Sequence, residues 1–339
     1  MAIQSLVFHR IERYQDDQPS SMSLAESCVT THADHESLFS QLKKQFQFKA
    51  GKLFGQFDSN IADYPLQVWL KEYLDGKIPF ERLSLLYADK FKELADKTSE
   101  TFANYICCIH EDRADGQRLY ILLLETSAGL LIDRSLNLDT VEHLNTSKLD
   151  LAIRIELDAL NTPDDSEEPP LVFVKSRGAG KLGEAFAQSI GFSSSIDTTK
   201  ETETLMQVLA NYTKGTDPKE GANLRQKAYE FCVEQQQIGE PVPLTELSGH
   251  LDENEPTRFA QFATESSELT QDKALHPDTR KLKHLVRISG KGNGLSLSFS
   301  SDLIQQTILF DEQQDTLTIT SIPKSLKQQI LEHIKEKPE

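Results

Sequence analysis

The sequence predicts an α+β protein, with an antiparallel sheet and packed helices in its amino-terminal half and a helical segment followed by a small α/β domain in its carboxyl-terminal half. Two early segments place apolar residues at helical spacing, and later segments rich in Ile, Leu, Tyr and Cys are separated only by short turns. A short connection joins antiparallel neighbours, because parallel neighbours need a long crossover. These strands are therefore expected to form one antiparallel sheet.

The first half of the chain carries two amphipathic helices and most of the predicted strands. The helices are expected at residues 36–48 and 80–94. The strands are expected at residues 3–11, 102–110, 118–126, 129–136, 149–157 and 171–175. Turn chemistry at Asp115-Gly116 and at residues 127–129 separates three of them. Alternation of apolar and polar residues in 149–157 predicts one buried side and one side that faces solvent.

A chain of 339 residues is expected to form two domains, because single hydrophobic cores stop growing below this size. The run Ser193-Ser194-Ser195 marks the boundary, which gives domains 1–195 and 196–339. Asp217 and Pro218 form a strong start signal for a helix over 221–237. Further elements are expected as helices at 244–251, 257–268 and 325–334 and strands at 295–299, 307–310 and 316–320. Residues 158–170 hold acids and prolines without a basic residue, which predicts an exposed acidic loop.

Composition limits the classes of function. The longest apolar runs, such as 121–124, are far too short to span a membrane, and residues 1–10 do not have the form of an export signal. A cytoplasmic protein with free thiols is therefore expected. The formal net charge of −17 repels phosphate backbones, so contact with nucleic acid requires a local basic patch. The alternative interpretation is that the acidic surface simply favours solubility.

A glycine-rich segment between a predicted strand and a predicted helix contains Gly178, Gly180 and Gly183 in the spacing GxGxxG. A dinucleotide site would need a parallel strand after the helix, but residues 193–200 are polar. The favoured interpretation is a tight turn in which glycine permits close packing. Three basic residues at this helix terminus would suit a phosphate or sulfate, namely Lys175, Arg177 and Lys181.

A second basic segment runs from 278 to 291, where the local charge reverses sign. Its basic residues face one acid and are Arg280, Lys281, Lys283, Arg287 and Lys291. The glycine-rich turn at 290–294 would bring backbone amides close to a phosphate. The alternative is a solvated strand face whose lysines discourage edge pairing.

No metal, cofactor or catalytic site is predicted. Cys28, His32 and His35 have neither the number nor the spacing of a closed zinc site. The adjacent Cys107 and Cys108 are expected inside a strand, where free cysteine behaves as a small apolar residue. The sequence contains no nucleophile elbow, HExxH motif or zinc-deaminase pattern. A non-enzymatic protein is therefore expected.

Several long segments, taken in order over nearly the whole chain, resemble the bacterial nucleoid-associated protein family of NdpA type. They are LDLAIRIEL at 149–157, LVFVKSRGAGKLGEAF at 171–186, RQKAYEFCVEQQQIG at 225–239, residues 259–265, SGKGNGLSLSF at 289–299 and DTLTI at 315–319. This resemblance implies association with the bacterial nucleoid, through DNA or through its protein machinery, without known catalysis or cofactor. It supplies no residue-level DNA site.

The leading hypothesis is a non-catalytic, nucleoid-associated protein in the cytoplasm, whose two basic segments converge on one surface and contact DNA phosphates. Helices would supply a protein or dimer interface, which leaves room for a homodimer. The second hypothesis is an acidic adaptor that protein partners recruit to the nucleoid. The third is an enzyme or sensor that holds a phosphorylated ligand at residues 178–183.

Overall fold

The protein is described here by a computed structural model over residues 2–49, 51–160, 169–196, 198–238, 240–271 and 273–335. Most of the predicted acidic loop, at 161–168, lies outside these residues. The chain divides into two compact units, one formed by Met1–Glu201 with Gln236–Pro241 and the other by Thr202–Gln235 with Val242–Glu339. The predicted α+β class is confirmed.

An antiparallel sheet, nine-stranded over the described residues, organises the first unit. Its strands are β1 (Ala2–Arg13), β2 (Ser21–Ser23), β3 (Leu53–Phe57), β4 (Phe102–Arg113), β5 (Gly116–Ile132), β6 (Leu138–Leu144), β7 (Leu151–Glu156), β8 (Leu171–Lys175) and β9 (Phe192–Ile196). The spatial order is β2-β1-β4-β5-β7-β8-β3-β9, and β6 pairs with β5. The sequence did not predict β3, which inserts between β8 and β9.

Helices cover both faces of this sheet. Helix α1 (Ala33–Phe48) directs Phe39, Leu42 and Phe46 into a core on one face. Helices α2 (Leu66–Leu74), α3 (Phe80–Ala95) and α4 (Gly180–Ile190) form a larger core on the other face, where the rings of Phe91 and Phe186 lie 5.7 Å apart. The apolar residues whose helical spacing predicted α1 and α3 lie on the sides of these helices that face the cores. The sequence did not predict α2.

Strand β7 shows that alternation was an unreliable guide to solvent exposure. The expected solvent-facing side is wrong, because Ala152 is fully buried and Arg154 is only 9% exposed. The strand lies between β5 and β8, and both of its faces are covered by cores. A polar residue in a central strand can thus be buried, and Arg154 lies beside Glu156 at 2.8 Å.

The turn expected at residues 127–129 is also wrong, because β5 continues without a break to Ile132 and pairs with β6. The chain reverses instead at Asp133. The Asp133 carboxylate accepts hydrogen bonds from the amides of Ser135, at 2.8 Å, and Asn137, at 2.9 Å. Leu136 adopts a positive φ of 64°. Aspartate and asparagine favour such turns because their side chains bond to the nearby backbone.

The segment from β8 through α4 to β9 has a split-crossover topology. Both strands are antiparallel to β3, which lies between them, so they are parallel to each other. Ser193 and Ser194 are paired with Gln56 and Gly55 in β9, so the expectation that this polar segment does not form a parallel strand after the helix is wrong. A polar segment can occupy this position because β9 is an edge strand.

The second unit has a helical core. Its helices are α5 (Thr198–Tyr212, which begins in the first unit), α6 (Pro218–Ile238), α7 (Leu244–Leu251), α8 (Arg258–Ser266) and α9 (Thr279–Leu282). Strands β10 (Val242–Pro243) and β11 (Ala274–Leu275) pair beside them. The predicted start of α6 is confirmed, because Asp217 accepts a hydrogen bond from the amide of Lys219 at 2.9 Å. The buried residues include Leu209, Cys232 and Phe259.

Two separate hairpins and a helix follow this core. Strands β12 (Arg287–Gly292) and β13 (Leu295–Ser300) form the first hairpin, and β14 (Ile308–Asp311) and β15 (Thr316–Ile319) form the second. The sequence suggested one small sheet, whereas the two hairpins are unconnected over the described residues. Helix α10 is Lys324–Lys335. None of the helices in the described ranges is both long and apolar enough to cross a lipid bilayer.

Candidate nucleic-acid interface

The β12–β13 hairpin carries a basic face without a carboxylate. Register places Arg287, Ser289 and Lys291 opposite Ser300, Ser298 and Ser296. Side chains alternate along a strand, so these six residues share one face. The Arg287 Nε donates a hydrogen bond to Ser298 Oγ at 2.7 Å, which orients the guanidinium across the hairpin. This face offers two cations and four hydroxyl groups.

The end of the hairpin exposes bare backbone. Asn293 and Gly294 have φ angles of 49° and 79°, the pattern of a two-residue type I′ turn. A Cβ added at Gly290 or Gly292 would meet no atom within 4 Å. A large ligand can therefore approach these peptide groups closely, because no side chain stands in its way.

Helix α9 precedes the hairpin and carries the remaining basic residues of this segment. Asp278 caps the helix by accepting from the Arg280 amide at 2.9 Å, and its other oxygen lies 3.4 Å from the Arg280 guanidinium. The Lys281 ammonium lies 3.0 Å from Glu203. Exposed ion pairs of this kind contribute roughly 0–1 kcal/mol, so a phosphate can displace them.

The other basic residues of the segment are free of such pairs within the described part of the chain. Lys283, Arg287 and Lys291 are exposed, and none of them forms an ion pair with a described acid. His284, beside Lys283, is exposed as well. These side chains can therefore meet an external anion without first losing an ion-pair partner within the described residues.

The glycine turn before α4 differs from an anion site in one decisive respect. The Glu100 carboxylate accepts hydrogen bonds from two amides in the first turn of α4, those of Lys181 and Leu182, each at 2.8 Å. A helix amino terminus attracts negative charge, and here the protein supplies that charge itself. These two amides are unavailable to an external phosphate while Glu100 remains in place.

The glycines of this turn have packing roles. Gly180 has a φ of +49°, and an added Cβ would collide with a Glu100 carboxylate oxygen. An added Cβ at Gly183 would lie 2.9 Å from the Ala179 Cβ and 3.0 Å from the Lys175 Cε. The favoured sequence interpretation, a tight strand-to-helix turn, agrees with this geometry.

The basic side chains of this turn lie among acids. Arg177 and Lys181 are exposed, and Lys175 is half-buried. A cavity of about 790 Å³ beside Gly178 is lined by Asp16, Asp17 and Glu100, among others. A second cavity, of about 410 Å³, includes Glu125, Lys148 and Asp150 in its lining. Carboxylates so close to the turn weaken its attraction for a polyanion.

The two basic groups belong to different units. Lys175, Arg177 and Lys181 lie in the first unit, and the residues from Arg280 to Lys291 lie in the second. Neither unit alone brings the groups together, and their convergence on one surface stays a prediction. No local pattern indicated Glu100 as a helix cap, because the residue lies 81 positions before its partner Lys181.

The cysteines and histidines considered for metal or nucleophilic chemistry have other environments. Within the described residues, no group of three or more His, Cys, Asp or Glu side chains could hold a metal ion. His32 and His35 lie at the amino terminus of α1, where the His35 ring accepts from the His32 amide at 3.3 Å. Burial raises the pKa of Cys108 to about 12 and that of Cys232 to about 12. These thiols are therefore protonated at neutral pH and are poor nucleophiles.

Comparison with known proteins gives a consistent result over nearly the whole chain. The family model described as nucleoid-associated protein YejK matches residues 7–327. A nucleoid-associated protein of Pseudomonas savastanoi pv. phaseolicola is 30% identical over 336 residues, which cover 97% of this chain and 99% of the relative. One of Azotobacter vinelandii is 28% identical over 332 residues, which cover 97% and 98%. The resemblance found in the sequence is confirmed, and the chain belongs to the YejK family of nucleoid-associated proteins.

Proposed function

We propose that this protein is a non-catalytic component of the bacterial nucleoid, in the cytoplasm, that contacts DNA phosphates through α9 and the β12–β13 hairpin. One observation carries the proposal. Residues 279–301 contain five basic residues and no acid, in a chain with 53 acidic residues. In the second unit four of these five cations are exposed, and two of them, Arg287 and Lys291, lie on a hairpin face that otherwise carries only serine.

The hairpin has the chemistry of a phosphate-contacting element. Arg, Lys and Ser side chains and free backbone amides account for most protein contacts to DNA phosphates. A two-stranded ribbon is also narrow enough to enter the major groove. Lys283, Arg287 and Lys291 would make the principal contacts, and Arg280 and Lys281 would join after exchange of their carboxylate partners. This site is electrostatic and carries no sequence preference by itself.

The first basic group is proposed to make a weaker, secondary contact. Lys175, Arg177 and Lys181 would reach a phosphate mainly through their side chains, because Glu100 occupies the amides of Lys181 and Leu182. Their acidic surroundings reduce the gain further. A variant at these positions should therefore weaken DNA binding less than an equal change in the hairpin.

A salt series with duplex DNA tests the proposal. The logarithm of affinity falls with the logarithm of salt concentration by about 0.9 for each neutralised phosphate, so three to five contacts give a slope of roughly −2.7 to −4.5. Combining Arg287→Glu and Lys291→Glu should reduce the magnitude of this slope by about 2 and weaken binding. Lys324→Glu with Lys327→Glu, the same charge change on exposed α10, is the matched control.

The outcomes separate direct from indirect association. A slope near zero for the unmodified protein, or equal losses for the hairpin and α10 variants, would reject the phosphate contact at β12–β13. Equal slopes for unmodified protein and hairpin variant would do the same. Catalysis forms no part of the proposal, and the buried, protonated thiols of Cys108 and Cys232 support that position.

The second candidate function is an acidic adaptor that a protein partner recruits to the nucleoid. It is favoured by the net charge of −17 and by the apolar side of α10. Leu326, Ile330 and Ile334 share that side at helical spacing and are 44%, 42% and 63% exposed. Co-purification of nucleoid proteins that survives nuclease treatment and is lost on Ile330→Asp would support the adaptor. Both functions are compatible with a homodimer.

A further inference from the structure

A two-stranded arm at one end of the sheet exposes an unusual amount of apolar surface. The arm, residues 126–144, consists of the last part of β5 paired with β6. Its exposed apolar residues are Leu130 (74%), Leu131 (50%), Ile132 (65%), Leu136 (85%), Leu138 (67%) and Val141 (42%). An isolated two-stranded ribbon is marginally stable in water, and contiguous exposed apolar surface marks interaction sites. The arm therefore needs a partner.

Strand β6 has one edge paired with β5 and one free outer edge. The pairing with β5 decides which residues of β6 direct their N–H and C=O groups toward the outer edge. Over the described residues, β6 pairs with no strand except β5. The Asn145 amide donates to the Glu125 carbonyl at 2.9 Å, and the Asp133 amide donates to the Asn137 carbonyl at 3.0 Å. Successive residues direct their backbone groups to opposite edges. Odd-numbered residues of β6 therefore bond inward, and the even-numbered residues present N–H and C=O groups outward.

We propose that β6 pairs antiparallel with β6 of a second copy of this chain, about a two-fold axis at Val141. In this register Val141 meets its own equivalent, and even-numbered residues pair only with even-numbered ones, as the free edge requires. The other cross-strand pairs are Leu138 with Leu144, Asp139 with His143 and Thr140 with Glu142, each occurring twice by symmetry. Apolar residues meet apolar residues, and the acid faces the imidazole.

Other registers fail on charge, polarity or backbone geometry. An axis at Thr140 would place Leu138 opposite Glu142 and Asp139 opposite Val141. An axis at Glu142 or Asp139 would place a carboxylate opposite its own equivalent, which is destabilising. An axis between two residues would pair an outward-bonding residue with an inward-bonding one. Self-complementarity of a strand is what a two-fold symmetric interface requires, and it identifies the occupant as a second copy.

Cysteine cross-linking tests the register. Val141 would lie in a pair without mutual hydrogen bonds, where Cα atoms are about 4.5 Å apart, a distance that a disulfide can span. Val141→Cys, made with Cys28→Ser to remove the half-buried native thiol, should give mostly disulfide-linked dimer on mild oxidation. Thr140→Cys in the same background is the matched control. Thr140 lies diagonally from its equivalent, about 7–8 Å away, and should remain uncross-linked.

Charge exchange provides a second test in solution. Asp139→Lys places a cation against His143 at two symmetric positions and should weaken dimerisation by about tenfold in sedimentation equilibrium. Combining Asp139→His with His143→Asp restores both pairs and should restore the dimer. The circular dichroism spectrum of each variant should be unchanged, because the altered side chains are exposed. An unchanged spectrum would show that the fold of the variant is intact.

The refuting results are distinct from those of the DNA proposal. An unmodified protein that stays monomeric at the highest attainable concentration would overturn the inference and would leave the arm to a different protein. A dimer that neither Val141→Cys captures nor Asp139→Lys weakens would overturn it too, by placing the interface elsewhere. Because the arm and the β12–β13 hairpin are altered by separate variants, failure of one proposal does not decide the other.

Discussion

Replacement of Glu100 tests whether the glycine turn is a structural cap or a vacant ligand site. Glu100→Ala removes a carboxylate that accepts from the amides of Lys181 and Leu182 at 2.8 Å. It leaves the positive end of the α4 dipole without a counter-charge. Helix α4 contributes Phe186 and Ile190 to the core of the first unit, so fraying of its first turn loosens that core.

The magnitude follows from comparable interactions. Loss of a side-chain cap costs about 0.5–2 kcal/mol, and a charged acceptor of two bonds belongs at the upper end of that range. The free energy of unfolding of the first unit should fall by about 2 kcal/mol. For a unit of roughly 200 residues, this loss corresponds to a decrease in melting temperature of about 4–8 °C.

Thermal unfolding with and without sulfate provides the assay. Sulfate should stabilise Glu100→Ala more than the unmodified protein, because it can occupy the vacated position at the helix terminus. Glu184→Ala, an exposed glutamate on the same helix, is the control and should change stability by less than about 0.5 kcal/mol. The capping role would be refuted if Glu100→Ala left the melting temperature unchanged, or if a nucleotide strongly stabilised the unmodified protein. Either result would favour the ligand-site hypothesis.

Three further predictions concern backbone geometry and pH. Gly180→Ala should lower the free energy of unfolding by about 1–3 kcal/mol, because the positive φ and the nearby Glu100 oxygen leave no room for a Cβ. Gly178→Ala, where a Cβ would meet open space, should leave the free energy measured by chemical denaturation unchanged. Equal effects of the two substitutions would reject this account. Burial, with Arg154 nearby, lowers the pKa of Lys52 from 10.5 to about 7. Between pH 7 and pH 10.5 the unfolded state therefore binds more protons than the folded state, so the stability of the protein should rise with pH across that window. Lys52→Met should abolish that rise and stabilise the protein at pH 7; an unchanged pH profile would contradict the assignment. Burial also lowers the pKa of His9, whose ring accepts from the Ala25 amide, so stability should fall as pH drops below 6.5 and His9→Gln should flatten that fall in urea titrations at several pH values.

The acidity of the chain and an affinity for DNA are compatible because screening acts over short distances. At physiological ionic strength the Debye length is about 8 Å, so a phosphate on the β12–β13 hairpin responds mainly to its immediate neighbours. The strands and turn of this hairpin contain no acid, and within the described residues neither Arg287 nor Lys291 forms an ion pair. Distant carboxylates should lower the overall association rate more than they lower the affinity of a local contact.

The candidate sites show two limits of sequence reasoning. The hairpin at 287–300 was predictable because its turn, its alternation and its charge are all local properties of the sequence. The role of the turn at 178–183 was only partly predictable. Its glycines indicated close packing, but the group that packs against Gly180 comes from Glu100, on a segment distant in the sequence. No local pattern specifies which distant carboxylate fills a helix terminus.

The arm illustrates a third limit. Turn residues were expected at 127–129, where Ser, Ala and Gly permit either a turn or a strand. In the structure these residues form a strand, and the turn lies several residues later, where the Asp133 carboxylate closes it. Strand β5 therefore extends into the arm. Strand length depends on where the neighbouring strand ends, so composition in a short window could not decide it.

The sequence by itself determined the α+β class, the helices whose apolar residues recur every third or fourth position, and the acid-free stretch at 279–301, because each depends on residues close together along the chain. Tertiary structure decided that β3 separates β8 from β9, that Arg154 is buried in a central strand, and that Glu100 fills the amino terminus of α4. These features join distant segments. Their free energy comes from burial and hydrogen bonds that exist only once the sheet has assembled, so no local pattern encodes them.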